Sequence, residues 1–153
     1  MVLRSSQQHN NDLKKASFFF VCCKQKTTSL LIRSQPIEYD YDIKAIKNKS
    51  DSSIIMVGGK HYSYGVLFRS YDNGQTWSNP ERISEKRLNA FEVIEDKMFA
   101  SDHEGVIYRS KDNGLSWEEY QTAHWRDIKD ICFVNNDTGF VVGAEVFSRG
   151  IIY

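Results

Sequence analysis

Several protein classes are excluded by features that the sequence lacks. It has only two prolines in 153 residues, and its aromatic content of 13% is high for a disordered chain. The formal net charge is zero, so the chain has no basic excess of the kind that binds nucleic acids. No apolar run approaches the ~20 residues of a membrane-spanning helix. We therefore expect a soluble globular protein with no nucleic-acid partner and no membrane span.

Cysteine and histidine are too few, and too irregularly spaced, to indicate a metal site. The three cysteines are Cys22, Cys23 and Cys132, and adjacent cysteines do not readily form a disulfide with each other. No cysteine pair has zinc-ligand spacing supported by a second pair. The four histidines show no ligand spacing either. We therefore expect free thiols, no metal and no cofactor.

Helical periodicity is also missing, and short apolar segments take its place. No segment keeps a 3.6-residue period, which predicts almost no helix. β-Branched and aromatic segments alternate instead with clusters of Gly, Asn, Asp and Ser, as strands alternate with turns. The first unit has predicted strands at about residues 43–48, 54–58, 66–70 and 76–83. Similar segments recur 85 residues later, at 127–131, 140–143 and 150–153.

An eight-residue segment occurs twice. Residues 70–77 read Ser-Tyr-Asp-Asn-Gly-Gln-Thr-Trp, and residues 110–117 read Ser-Lys-Asp-Asn-Gly-Leu-Ser-Trp, 40 residues further on. A repeat of this length with four short strands is typical of a β-propeller blade. We therefore predict an all-β propeller of four-stranded antiparallel blades, of which this chain holds about three to three and a half.

The repeated segments resemble the Asp-box, also called the bacterial neuraminidase repeat. The matching positions are Ser70, Asp72, Gly74, Thr76, Trp77, Ser110, Asp112, Gly114, Ser116 and Trp117. Asn-Gly is a preferred turn dipeptide, and an Asp side chain can accept N–H bonds across such a turn. The resemblance implies that each box joins the third and fourth strands on the face away from the ligand. We therefore predict that these residues are structural and neither catalytic nor metal-binding.

The chain is predicted to have three parts. Residues 1–13 are a polar, flexible tail, residues 14–41 form N-terminal strands, a degenerate blade or a weak export signal, and residues 42–153 form the blades. The signal-like features are two lysines, a short apolar core and a cysteine. They are weak, and a strand at residues 17–23 is the better interpretation of this segment. We nevertheless expect an exported protein, whether periplasmic, cell-surface or secreted, because the family resemblance described below implies it, with a cytoplasmic location as the alternative. Because the third unit stops before its box, we predict a fragment of a longer propeller. Its missing blades would come from the rest of the chain or from self-association.

Because neighbouring strands run in opposite directions, successive loops alternate between the two faces. The loops from the second to the third strand, and from the fourth strand to the next unit, lie on the face opposite the boxes, where propellers usually bind ligands. These loops are rich in the aromatic, histidine and arginine side chains found at recognition surfaces. The ligand-binding candidates are His61, Tyr62, Arg87, His124, Trp125 and Arg126.

Two functional classes compete. Residues 127–131, 138–143 and 150–153 resemble the photosystem II assembly factor and sortilin-like groups of Asp-box proteins. That resemblance implies a non-catalytic propeller that binds a protein, peptide or glycan, and we favour it over an enzyme. The alternative is a fragment of a sialidase-like or other propeller glycoside hydrolase. A sialidase needs three arginines for the substrate carboxylate; Arg33, Arg87 and Arg126 are available, but the Phe/Tyr-Arg-Ile-Pro motif is not. A purely structural or adhesive role is the third option.

Overall fold

The computed structural model describes residues 16–22, 31–37, 40–123, 126–144 and 150–152. Within these ranges the chain forms thirteen β-strands and no helix, and so no helix there could span a membrane. Two compact units are present, Met1–Asp40 and Tyr41–Tyr153. In the smaller unit, β1 (Ala16–Cys22) and β2 (Leu31–Ile37) pair as antiparallel strands.

Three antiparallel sheets make up the larger unit, and in each the strands follow chain order. The first sheet contains β3 (Asp42–Asn48), β4 (Ile54–Gly59), β5 (Gly65–Ser70) and β6 (Glu81–Ser84). The second contains β7 (Leu88–Ile94), β8 (Lys97–Asp102), β9 (Val106–Ser110) and β10 (Glu118–Gln121). The third contains β11 (Asp127–Phe133), β12 (Gly139–Ala144) and β13 (Gly150–Ile152). These are the four-stranded blades predicted from the repeat, with three strands described in the last.

The sheets pack face to face through their first strands, because β7 contacts both β3 and β11. One apolar cluster joins the first and second sheets, and includes Ile55, Val57 and Leu67 on one side and Leu88 and Phe91 on the other. A second cluster, centred on Ala90, Ile128 and Ile131, joins the second and third sheets. The hydrophobic core therefore lies between blades, where alternate side chains of neighbouring sheets meet.

The fourth strand of the first sheet is shorter than predicted. The prediction of 76–83 is wrong at its start, because β6 begins only at Glu81 and Trp77 lies in the irregular segment before it. Ser78 still ties this segment to Arg69, through its N–H at 2.8 Å and its hydroxyl at 3.0 Å. Pro80 has no N–H to donate to a ladder, so regular pairing starts only after it.

Each first strand carries a β-bulge near its beginning. The register shifts between Ile43 and Ala45 in the first sheet, and at the corresponding places in the second and third sheets. The extra residues are Lys44, Asn89 and Lys129. A bulge turns side chains to a new direction and ends regular pairing. Here the extra residue lies two positions after Asp42, Arg87 or Asp127, and the buried Leu88 and Ile128 come directly before it in the second and third sheets.

Candidate recognition surface

The two boxes form the same hydrogen-bonded turn. In the first, the Ser70 hydroxyl donates to Asp72 Oδ1 at 2.8 Å and accepts from the Gly74 N–H at 2.8 Å. The Asp72 carboxylate accepts the Thr76 N–H at 2.8 Å and the Thr76 hydroxyl at 2.6 Å. Asn73 and Gly74 have positive φ angles of 59° and 80°, which Asn tolerates and Gly adopts freely.

The second box repeats these bonds at closely similar distances. Ser110 donates to Asp112 at 2.8 Å, and Asp112 accepts the Ser116 N–H at 2.9 Å. The hydrogen bonds from Thr76, and then from Ser70, lower the pKa of Asp72 to about 2. Those from Ser116 and Ser110 do the same for Asp112. Both carboxylates are thus ionised and engaged within their own turns, which suits a structural role.

On the opposite face, which we call the loop face, three side chains meet between the first and second sheets. Arg87 Nη1 donates to Asp42 Oδ2 at 2.9 Å and lies 2.6 Å from His61 Nδ1. A guanidinium has donors only, so His61 Nδ1 must be the acceptor and carry no proton. Arg87 just before β7 is thereby joined to the start of β3 and to the β4–β5 loop.

Tyr62 projects from the same loop. Its side chain is 76% exposed and its φ angle is 57°, a backbone conformation that is uncommon for an aromatic residue. Its ring lies 3.9 Å from the His61 ring and 5.8 Å from that of His103, both edge-on. Backbone hydrogen bonds of 3.0 Å at Lys60 and Ser63 hold the turn. The structure therefore presents a large aromatic side chain to solvent, with one histidine from each of two sheets beside it.

A buried carboxylate shapes the neighbouring loop of the second sheet. Asp102 is fully buried and accepts the Glu104 and Val106 N–H groups at 2.8 and 3.0 Å. It also accepts the Tyr108 hydroxyl at 3.0 Å. Burial, and then the charge of Asp102, raise the pKa of Tyr108 above its ordinary value. These bonds fix the backbone of the loop that carries His103.

Further charged side chains form pairs on the loop face of the second and third sheets. Lys86 pairs with Glu104 at 2.7 Å, a hydrogen bond that raises the pKa of Lys86. Asp127, at the start of the third sheet, accepts hydrogen bonds from Asn89 and Lys129. Asp42, Arg87 and Asp127 occupy the same position in the three repeats, two residues before the extra residue of the bulge. They form an acidic–basic–acidic series along the loop face.

The structure brings together three of the six predicted ligand-binding residues, His61, Tyr62 and Arg87. Arg126 is half-buried directly before β11, at the repeat position of Lys86, and His124 and Trp125 lie outside the described residues. The prediction omitted Asp42 and His103 from the binding candidates. Aligning the three repeats by their first strands would have shown Asp42 in the position of Arg87. No group of three His, Cys, Asp or Glu side chains in the described part of the chain is arranged to hold a metal ion.

Comparison with known proteins adds one structural neighbour. No protein-family model and no curated protein matches the sequence. A solved structure of YCF48 bound to D1 peptide is similar, with a TM-score of 0.55 and 14% identity. The match covers 76% of this chain and 44% of that one, so the chain spans less than half of its neighbour's length. At this identity the similarity shows the fold alone. Together with the four-stranded antiparallel sheets, it confirms that the chain is an incomplete β-propeller.

Proposed function

We propose that the chain belongs to a non-catalytic β-propeller that binds a protein or peptide on its loop face. The observation that carries the proposal is Tyr62, which is 76% exposed in a left-handed backbone conformation beside two histidines, one of which, His61, also contacts Arg87. The structural neighbour YCF48 is itself bound to a peptide, the D1 peptide. The boxes support the finer assignment to Asp-box propellers of the photosystem II assembly factor and sortilin-like kind.

The side chains of Tyr62, His61, Arg87 and Asp42 together have the physical properties of a binding hot spot. A tyrosine side chain buries about 150–250 Å² when it is covered, and Tyr and Arg are enriched among the residues that dominate binding energy. Arg87 is already held by Asp42, with its side chain only 13% exposed. Little conformational entropy then remains to be lost when a partner binds, which favours affinity. Backbone strain at an exposed aromatic residue is a further mark of functional positions.

The hydrolase alternative has no comparable support. Both box carboxylates are engaged in their turns. Arg87, one of the three arginines considered for a substrate carboxylate, is paired with Asp42 at 2.9 Å. Glycan binding likewise has no observation of its own beyond the exposed aromatic ring. We therefore retain protein or peptide binding as the proposed activity.

The test is selection of binders to the full chain from a phage-displayed library of random 12-residue peptides, followed by calorimetry with the enriched peptides. Tyr62→Ala should weaken binding at least ~10-fold, as loss of a hot-spot side chain does. Tyr71→Ala is the matched control, because Tyr71 is 70% exposed next to the first box. Failure to enrich any peptide would contradict the proposal. So would binding that Tyr71→Ala weakens and Tyr62→Ala leaves unchanged.

A further inference from the structure

Each sheet has a face that packs against the next sheet in the chain, which we call its forward face. In the first sheet, Ile55 and Val57 of β4 lie on this face and are 1% and 0% exposed beneath the second sheet. In the second sheet, Phe99 and Ile107 pack against the third in the same way. The same kind of interface therefore occurs twice, each time between a forward face and the first strand of the following sheet.

The forward face of the third sheet is exposed. Phe140 and Val142 are the repeat counterparts of Ile55 and Val57, yet they are 46% and 39% exposed. Asp130 is also exposed, and it occupies the position of Ala45 in the first sheet and Ala90 in the second. An aromatic and a β-branched side chain are thus exposed to solvent at positions that the following sheet buries fully in the first sheet.

A second contact between the first and second sheets is made by Arg69. Arg69 on the forward face of β5 donates to the Asn113 carbonyl at 2.9 Å and to the Gly114 carbonyl at 3.5 Å. It thereby holds the box turn of the second sheet. Glu81 positions its guanidinium through bonds of 3.0 and 3.2 Å. The arginine is enclosed, with a side chain only 11% exposed.

Arg109 is the repeat counterpart of Arg69. It is positioned in a similar way, by Glu118 at 2.6 Å and by Tyr120, over whose ring the guanidinium lies at 4.9 Å. Within the described residues it donates to no box turn, and its side chain is 32% exposed. Arg109 and Glu118 therefore correspond to Arg69 and Glu81, and the box turn that would accept the hydrogen bonds of Arg109 is the part not described.

We propose that Arg109 and the forward face of the third sheet together form a docking surface for a further segment of the same repeat. The segment has two parts. A box turn completes the third sheet and gives its carbonyls to Arg109, and a following blade covers Phe140 and Val142 with the apolar side of its first strand. The occupant carries a hydrogen-bond donor opposite Asp130, because a carboxylate that becomes covered there needs one, unlike Ala45 and Ala90 at the same position in the other sheets.

A directly extended chain tests this proposal. Phe68 and Tyr153 are repeat counterparts, so a copy of residues 69–123 joined after Tyr153 continues the repeat in register. It supplies the box turn and fourth strand of the third sheet, and then a complete blade with its own box. Asp130→Ala is made in both the extended and the unextended chain. The copied blade is the second sheet, which packs against an alanine, Ala45, at this position of the first sheet. Thermal unfolding and the alkylation rate of Cys132 are then measured. Cys132 is exposed and alternates onto the forward face with Asp130.

Docking should raise the unfolding midpoint by about 5 °C or more and slow Cys132 alkylation at least ~10-fold. Phe140→Asp should abolish both effects in the extended chain while leaving the unextended chain unchanged, since Phe140 is exposed there. Arg109→Gln should remove part of the gain. An extension that unfolds separately, or a gain that Phe140→Asp leaves intact, would overturn the proposal. Sedimentation provides a further test. If the unextended chain forms dimers that Phe140→Asp abolishes, and if the extended chain still dimerises, then a second copy is the occupant and the proposal is wrong.

Discussion

Gly114 lies against the guanidinium of Arg69, so closely that a Cβ on Gly114 would come within 2.5 Å of Nη2. Among the described residues, Gly74, the same residue of the first box, has no such neighbour. A Cβ there would meet only Trp77 and Ile54 in this part of the chain, at 3.6 and 3.7 Å. Both glycines have positive φ angles, 84° and 80°. The two turns are therefore alike in backbone but differ in what the preceding sheet places over them.

This difference predicts unequal costs for the same substitution. Gly74→Ala and Gly114→Ala both place a side chain at positive φ, which costs about 1 kcal/mol. Gly114→Ala must in addition displace Arg69 from Asn113 and Glu81, at about 1–2 kcal/mol more. Urea denaturation measures both values. In an Arg69→Ala background the two costs should become equal, and a persistent difference would show that the arginine is not its cause.

The box carboxylates predict a loss of stability in acid. The folded-state pKa of Asp72 and Asp112 is about 2, against an ordinary value of 3.8. A lowered pKa means that the folded state binds fewer protons, so stability rises with pH. The contribution is complete above about pH 4 and is lost as pH falls toward 2.

Urea midpoints measured between pH 5 and pH 2.5 test this expectation. The double variant Asp72→Asn, Asp112→Asn should be less stable at pH 5 and show a shallower decline. Glu118 contributes with the same sign, because hydrogen bonds from Tyr120 and then Arg109 lower its pKa to about 2. Glu118→Gln should therefore flatten the curve further. An unchanged slope in the double variant would contradict the assigned role of the boxes.

Asp102 is expected to be the most sensitive polar residue of the second sheet. Asp102→Ala leaves two backbone N–H groups and the Tyr108 hydroxyl without their acceptor in a fully buried place. We expect a loss of about 3 kcal/mol or more in the free energy of unfolding. Tyr108→Phe removes one of these bonds and should cost about 1 kcal/mol. Equal effects of the two changes would argue against the backbone bonds as the main contribution.

Asp42 should influence binding more than stability. Its carboxylate is 55% exposed and pairs with Arg87, and such pairs contribute at most about 1 kcal/mol to folding. Asp42→Ala releases Arg87, so a peptide selected on the loop face should bind about 3–10-fold more weakly because the arginine must be ordered again. Asp51→Ala, at an exposed position outside the loop face, is the control. If Asp42→Ala leaves the affinity unchanged, the positioning of Arg87 by Asp42 does not contribute to binding.

The fold could be predicted because its determinants are local and repeated. Two boxes at blade spacing, with apolar segments 85 residues apart, define the strand order, and the structural similarity confirms the propeller. The start of β6 was missed because Pro80 delays regular pairing beyond the turn. The bulges have no shared sequence signal, since the extra residues are Lys44, Asn89 and Lys129.

The loop face could be predicted only in part. Strand parity placed His61, Tyr62 and Arg87 on one face without structural information. The contact of Arg87 with Asp42, and that of Tyr62 with His103, depend on how far apart neighbouring sheets pack. That spacing is set by side-chain volumes between the sheets, and no single repeat encodes it.

The bulges have a consequence for how such a surface diversifies. Asp42, Arg87 and Asp127 lie two residues before the extra residue of each bulge, whereas Ala45 and Ala90, directly after it, pack in or against the core. Because an unpaired residue separates the two groups, substitutions in the first leave the strand register of the second unchanged. Repeats of this kind can therefore exchange acidic for basic residues at the loop face independently in each blade while the scaffold stays the same.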